Sequence, residues 1–470
     1  MAEFKISNNS SNKVVKVAVI GAGVSGLSFT NNLKKKLQSI NVNCSIKHFE
    51  ASNTFGGRVR PLKNFANFFM ELGAEEVHGE DSEIYQIVKK HGGQPFDYWQ
   101  EKELYAEYKG DLGRIEDLRK VYPEVEVSAK VYDDIMSPDS NIDYKNMNLM
   151  QYYKSQQKLE LSNKKYKELE HSDPESNKAD HIIEGLFGVE CGTDAENLCP
   201  KVFNDYEREW VSGNSNMILM KKSYIEVFEE EFKDEIKDIT YNTYIKKIES
   251  KDGKSILYDS KNTKYGEYDY VIVSVPIPIL QKLEFVPNLS EDKKRAINIF
   301  KHDDCAKLIL KFSKRFWADD MAIMYLESLV PTWWPSGKDG ENNEFLLTGM
   351  TSGKNCRVMD ELYKQNPKEF IKKALNDIQR VFSKTEPDIK KYFIDFAWNN
   401  WMNDEFAQGG YTYHTLGEQN SREILRQTHE DCVFFCGDAM GRNGHISTVH
   451  GTYETGKTLA IEIADKIQMH

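Results

Sequence analysis

The sequence predicts an α/β protein in which two domains are interwoven along one chain, and three observations carry that reading. The first fifty residues show a strand, a glycine-rich turn, a helix and a second strand. Strand-like runs return at about 238–275 and again at 433–436, beyond charged, helix-prone stretches. No Gly/Ser-rich or Pro-rich tether interrupts the 470 residues, which contain only 13 prolines, so the parts are not beads on a linker.

Taken in order, residues 14–20 (Val-Val-Lys-Val-Ala-Val-Ile) form the apolar, β-branched run of a buried strand. Leu27 to Leu37 reads as a helix with Leu27, Leu33 and Leu37 inward, and 44–49 (Cys-Ser-Ile-Lys-His-Phe) as the next strand, completing a βαβ unit. From about 85 to 223 the chain is charged and helical in flavour. Gln151 to Glu170, dense in Lys, Glu and Gln, is expected to be a solvated helix, and 171–180 a loop. Apolar residues at 224, 228, 232 and 236 mark one stripe of a further helix. Asp269 to Val275 is the clearest later strand, ended by Pro276, and Ala306 to Phe312 is another. Helix returns at Pro367 to Phe382; Val433 to Cys436 is a strand, and a last helix runs from about Thr448 to Ile467.

Composition narrows the function. With 62 basic and 74 acidic residues the net charge is −12, which argues against nucleic acid as the main partner and suits a neutral or cationic one. The 40% hydrophobic and 12% aromatic content supports a sizeable core. No run of 18 apolar residues is present, so no membrane-spanning helix is expected. Met1 to Lys13 is polar and lacks the apolar centre of a signal peptide. The last residues, Lys466 to His470, show no lipidation or peroxisomal ending. Seven cysteines lie scattered without a CxxC, so a reduced, cytoplasmic protein without a metal is the expectation. Oligomeric state is left open.

The turn Gly21-Ala22-Gly23-Val24-Ser25-Gly26 follows a strand and opens a helix. The first glycine permits the tight turn, the second lets backbone approach a pyrophosphate, and the third lets helix and strand pack closely. The helix N-terminus offers free N–H groups to phosphates. Glu50 ends the following strand, where a carboxylate can accept hydrogen bonds from ribose hydroxyls. The competing reading is a chance glycine turn, but strand, turn, helix, strand and acid stand in the required order. The pattern alone does not separate FAD from NAD.

Beyond it, Glu50-Ala51 runs to Gly56-Gly57-Arg58-Val59-Arg60, followed by Glu71-Leu72-Gly73-Ala74-Glu75-Glu76-Val77-His78-Gly79. Here the sequence resembles the flavin-dependent amine oxidases, most closely the polyamine oxidases. The blocks Val271 to Pro276, Phe285-Val286-Pro287, Lys307 to Phe312, Trp401 to Asp404 with Gly409-Gly410-Tyr411, Phe434 to Ala439 and Ser447 to Gly451 agree. The likeness spans 14–460, with 85–220 matched by no motif. It implies an amine oxidase fold: a Rossmann-like FAD-binding domain built from 1–84, 224–290 and 412–470, and an interwoven α+β substrate domain from 85–223 and 291–411.

The resemblance also implies roles. Gly21, Gly23, Gly26 and Glu50 would hold pyrophosphate and ribose, with Gly57, Gly73 and Ala74 in the same cofactor-binding blocks. Arg58 would sit near the phosphates or flavin, and the backbone of Ile245 would meet the adenine. Gly437 and Asp438 would serve the pyrophosphate–ribityl region, and Val449 would offer its N–H to the flavin pyrimidine. Lys307 matches the lysine that binds a water beside flavin N5; the competing reading is that it faces solvent like Lys311, with which it shares strand parity. Tyr411 matches one aromatic wall of the amine site, while the second wall falls on Thr448. Gly410 stands where monoamine oxidases carry the cysteine bonded to flavin, so FAD is expected to bind noncovalently. Thr54 and Lys221-Lys222-Ser223-Tyr224 depart from the family pattern. His78 could accept a proton or position the amine; a structural histidine is the alternative. Glu75 and Glu76 could bind distal ammonium groups of a polycation, or form a solvated turn. His450 could be a packing residue only.

The implied reaction moves a hydride from an amine Cα to flavin N5, giving an imine, then an aldehyde, with oxygen reduced to hydrogen peroxide. Expected partners are a small cationic amine, spermine or spermidine or an N-acetyl form, and oxygen. The alternatives are an L-amino acid oxidase, which needs an arginine for the substrate carboxylate, a flavin-dependent desaturase or isomerase on the same fold, and a flavin-fold protein that only binds partners. A histone demethylase is less expected, because no chromatin-binding domain or long helical-hairpin insertion is visible.

Overall fold

The structure is a computed structural model describing residues 14–98, 100–144, 146–162, 179–213, 217–336, 344–413, 415–416 and 420–469. Its first strand, β1 (Val15–Ile20), is central in a five-stranded parallel sheet. β2 (Cys44–Phe49) and then Ile239–Thr240 lie on one side of it, Tyr270–Val273 and Val433–Phe435 on the other. β1 alternates between two cores, as strand periodicity requires. Val17 and Val19 pack with Phe29 and Leu33 of helix α1 (Val24–Ser39) and with Leu459 and Ile463 of the final helix, Val449–Met469. Ala18 and Ile20 pack the opposite way, against Ile245, Ile248, Leu257 and Phe285 of a separate four-stranded sheet.

The stripe read at 224, 228, 232 and 236 is real but broken. Tyr224–Glu231 and Lys233–Ile236 are two short helices, with Phe232 at the junction, and Tyr224, Phe228 and Phe232 are fully buried. Ser223, where the pattern departed from the family, caps the first of them reciprocally with Glu226.

A second, seven-stranded sheet runs in the order Phe393–Asn400, Cys305–Phe312, Phe345–Ser352, Thr332–Ser336, Met321–Tyr325, Glu103–Tyr108 and Asp111–Arg114. In its strand Cys305–Phe312, Leu308, Leu310 and Phe312 face helix Pro367–Phe382 through Phe370, Leu375 and Ile378. Lys307, Ile309 and Lys311 therefore face the other way, towards the 62–75 segment: Ile309 packs with Met70, and Lys311 donates to the Phe65 carbonyl. A small three-stranded sheet joins Val77–His78, Met217–Leu219 and Phe96–Asp97, bringing the glutamate-rich turn beside the helical region.

Helices Pro123–Met136, Leu149–Leu161 and Pro200–Glu209 form that region. The expected solvated helix is corrected here. Within Leu149–Leu161, Tyr152, Tyr153, Gln157 and Leu161 are buried against Val125, Val131 and Phe187, so its charges occupy one face only. Its expected continuation to Glu170, and most of the loop expected at 171–180, lie outside the described residues. Helix Asp180–Ile183 widens into a π-helical turn, Glu184–Val189, which delivers Glu190 to the cavity described next.

Candidate active site

One continuous cavity of about 490 Å³ runs from the β1 turn to the helical region. That size lies within the ~300–1,000 Å³ of small-molecule sites. Its near end is backbone. Gly21 adopts φ +100°, and a Cβ added there would lie 2.8 Å from the Ser274 carbonyl oxygen. Gly23 lines the cavity, and a Cβ added to it meets nothing within 4 Å. Gly26 does not line the cavity; a Cβ there would lie 2.1 Å from the Gly21 carbonyl oxygen. Of the three glycines expected to hold phosphate and ribose, Gly26 thus acts through helix–strand packing. Glu50 accepts from the Ala22 N–H at 2.7 Å and the Ser52 N–H at 2.8 Å, which leaves lone pairs for a hydroxyl donor. Gly57, Ile245, Gly73 and Ala74 also line the wall.

Midway, Arg58 and Asp438 form a charge-assisted pair, Nη2 to Oδ1 at 3.0 Å and Nη1 to Oδ2 at 3.3 Å. Arg58 also donates to the Gly410 carbonyl at 2.8 Å, and Asp438 accepts from the Thr412 N–H and hydroxyl at 3.1 and 2.9 Å. Despite burial, the adjacent Arg58, His302 and Thr412 hold the Asp438 carboxyl well below the usual range. Gly437 lines the wall beside it, and Val449 starts the final helix with its N-terminal turn at the cavity. A Cβ on Gly410 would lie 2.7 Å from Cys305 Cβ, so the Cys305 side chain fills that space; all seven cysteines are unpaired.

At the far end Lys307 is buried, which overturns the solvent-facing alternative. Its Nζ donates to Glu75 Oε2 at 2.7 Å and to the carbonyls of Glu71 and Gly73 at 3.2 and 3.0 Å. Lys311 shares its face and is paired too, with Glu344. Glu75 and Glu76 are accordingly not a solvated turn. Glu76 lines the cavity and faces His78, Nε2 to Oε2 3.7 Å. Burial, then the charges of Glu190 and Glu75, push the Glu76 carboxyl up to about 8, and burial pushes Glu190 up to about 7. Burial pushes the His78 imidazole down to about 4. Tyr411 lines the wall with its hydroxyl donating to the Val189 and Glu190 carbonyls, while the Thr448 hydroxyl is spent on the His445 carbonyl and the Gly451 N–H. His450 packs against Trp210 and His445. Ser212, His445 and Glu454 form a serine–histidine–carboxylate line at 2.9 and 2.8 Å. Ser212 and His445 are buried and off the cavity wall, so this line is a strut.

A model of the flavin containing amine oxidoreductases matches residues 24–464. The chain belongs to that family.

Among its relatives, lysine-specific histone demethylase 1 homolog 1 of Oryza sativa is 28% identical over 238 residues, 48% of this chain and 27% of that one. The chain thus matches about a quarter of the length of that relative. Polyamine oxidase 1 of Zea mays is 23% identical, covering 94% of this chain and 88% of that one. L-amino acid oxidase Bs29 of Bothriechis schlegelii is 22% identical, covering 95% and 89%. Cyclohexylamine oxidase from Brevibacterium oxydans superposes at TM-score 0.74 with 16% identity over 97% of this chain and 100% of that one, and putrescine oxidase at 0.72 with 16% over 96% and 100%. These structures share the fold.

The family implies a flavin, and the open face at Gly23, the free lone pairs of Glu50 and the helix N-terminus at Val449 fit one. No helix of the described residues is long and apolar enough to cross a membrane, and no cluster of metal-ligating side chains occurs among them. Sequence reasoning missed Glu190, Glu207, Tyr98 and Trp334, all of which line the cavity. No local pattern marks them; the helical insertion and the seven-stranded sheet bring them together.

The protein is expected to melt at a lower temperature at pH 8 than at pH 6.5 when flavin-free. Glu71 and Glu76, both pushed up to about 8 by burial, and Glu184 and Glu190, up to about 7, hold protons in the folded state that the unfolded chain has already released. Stability therefore falls as pH rises through that window. Lys293, pushed down to about 7 by burial, opposes the trend across the window. His48, His78 and His181, pushed down to about 4 by burial, oppose it near pH 6.5 while the unfolded imidazoles are still part-protonated; the four carboxyls outweigh them. Calorimetry at fixed ionic strength checks this, and a flat or rising melting temperature contradicts it.

Proposed function

We propose that the protein oxidises polyamines or related multiply cationic amines with noncovalently held FAD. One observation carries the reading: Glu75, Glu76 and Glu190 line the cavity within electrostatic reach of Lys307, already paired with Glu75, and the charges of Glu75 and Glu190 both act on Glu76. Carboxylates desolvated together are costly unless cations join them, and an amine with two or more ammonium groups supplies those cations. Tyr411 and Trp334 add aromatic faces that attract the same charge.

An amino acid oxidase fits less well. It needs a cation for the substrate carboxylate, yet Arg58 is committed to Asp438, and Arg60 to Asp404 at 2.8 Å with its guanidinium 4.7 Å from the Trp401 ring centre. A desaturase or isomerase has no use for a group of buried carboxylates.

Bound FAD supplies the two-electron acceptor. The chain's residues hold it: the Gly21–Gly23 turn and Glu50 at the nucleotide, Arg58 fixed by Asp438 in the middle, and Val449 at the helix end. Lys307 anchors Glu75 and the Glu71–Gly73 backbone beneath the substrate. The carboxylates orient the amine.

The test is an anaerobic titration of the yellow protein with spermine, spermidine and their N-acetyl forms. Bleaching of the flavin band, peroxide on admitting air, and complete release of flavin on acid precipitation are the expected results. A flavin that none of these amines bleaches overturns the polyamine reading, and flavin retained in the precipitate overturns noncovalent binding.

A further inference from the structure

We propose that Glu76 is the residue that takes the proton from the substrate's ammonium group. The assignment rests on the amine-oxidising reading above and names the base it requires.

An alkyl ammonium, with pKa about 10.4, must lose a proton before its nitrogen lone pair can assist departure of the Cα hydrogen. Lys307 does not take it. An ammonium has three donors and no acceptor, and the three of Lys307 go to Glu71 O, Gly73 O and Glu75. Glu75 is a positioning residue for the same reason, its carboxylate being held by Lys307. His78 faces the cavity, but burial leaves its imidazole a weak base near pKa 4.

Glu76 differs from each of these. Its backbone carbonyl is pinned by the Tyr224 hydroxyl at 2.8 Å, so its placement is fixed. Glu76 lines the cavity, and among the described residues no hydrogen bond to its carboxylate is formed; His78 Nε2 stands 3.7 Å away. His78 in turn lies 6.3 Å, ring to ring, from His450, which adjoins Val449 at the helix end where the flavin is expected. The groups acting on Glu76 are Glu75 and His78 on its own segment, Glu190 after the π-helical turn, Lys307 on the seven-stranded sheet, and Tyr224 and Tyr411. The two extra carboxylates and burial raise its affinity for a proton to about 8, matching a base that works near neutrality.

In the step, one N–H bond of the ammonium breaks and an O–H bond forms on Glu76. The electron pair stays on nitrogen. The flavin that the family implies would supply the two-electron acceptor for the later loss of the Cα hydrogen.

The experiment is the pH profile of kcat/KM for spermine in the wild type, Glu76→Gln and Glu190→Gln, since kcat/KM reports free-enzyme ionisations. The wild type should rise through about pH 8. Glu76→Gln should lose that limb, rise instead towards the amine's own pKa, and fall about 100-fold at pH 8. Glu190→Gln should keep a limb but move it to lower pH, because the Glu190 charge helps to raise Glu76, and it should raise KM. Difference infrared titration of flavin-free protein should show one carboxyl fewer titrating near pH 8 in Glu76→Gln than in the wild type. A limb unchanged in Glu76→Gln, or lost in Glu190→Gln alone, overturns the assignment. If Glu76→Gln does not fold, Glu76→Asp decides: a displaced limb supports it and an unmoved one overturns it. If no amine reduces the wild-type flavin, the amine-oxidising reading falls and this assignment with it; if the wild type is reduced and the limb stays in Glu76→Gln, only the assignment falls.

Discussion

Flavin-free Lys307→Met protein is expected to lose about 3–5 kcal/mol of unfolding free energy, the usual cost of breaking a buried ion pair on one side. Lys307 and Glu75 are 10% and 14% exposed at the side chain, so water screens the pair poorly. Removing the ammonium strands the Glu75 carboxylate and frees two carbonyls, Glu71 O and Gly73 O, whose donor it was. The double variant Lys307→Met/Glu75→Leu should regain much of that loss, because a buried pair replaced by apolar groups of similar size is often close to neutral. Urea unfolding of the four proteins of this cycle measures the coupling. A single-variant loss below about 1 kcal/mol would mean that the pair behaves as a surface bridge, and the rigid placement of the 71–76 segment would need another cause.

The second large effect separates folding from cofactor binding within one turn. Gly26→Ala puts a methyl 2.1 Å from the Gly21 carbonyl oxygen and 2.7 Å from Ser274 Oγ. Both are held by β1 and its neighbouring strand, and the Ser274 hydroxyl itself donates to Gly21 at 2.8 Å. Overpacking typically costs about 1–3 kcal/mol and occasionally more; with backbone as the obstacle the upper end is expected here, and a sharply reduced yield of folded protein with it. Gly23→Leu differs, because its Cβ has open space and its φ of −73° suits any residue. That protein should keep its far-ultraviolet dichroism and melting temperature while losing flavin, since the leucine occupies the space a pyrophosphate needs. If Gly23→Leu purifies fully yellow, the nucleotide end of the cavity has been misassigned.

The glycine turn was legible because one short segment carries all of its parts. Gly21, Gly23 and Gly26 act within six residues, and Glu50 closes the next strand beside them. Lys307 was legible only through resemblance. Strand parity put it on the same face as Lys311, and the reading of that face as solvent failed because each lysine finds its carboxylate far away, Glu75 and Glu344 being 232 and 33 residues distant. The burial of Tyr152, Tyr153, Gln157 and Leu161 was missed for a related reason. The helix is charged on average, and only its neighbours in space reveal which side is covered. Glu190 and Glu207 sit in a stretch that no motif matches, and they become site residues through the π-helical turn and helix Pro200–Glu209.

The order of strands in the parallel sheet bears on how the chain is made. The neighbour of β1, Tyr270–Val273, is made about 250 residues after it, and the edge strand Val433–Phe435 and the covering helix Val449–Met469 later still. At about 5–20 residues per second on the ribosome, β1 and α1 wait roughly 10–50 s for the first of these partners. During that interval the apolar faces of Val17, Val19, Phe29 and Leu33 have no partner from the C-terminal half. The nucleotide half therefore matures only after the central sheet is translated, and until then its apolar faces stay exposed.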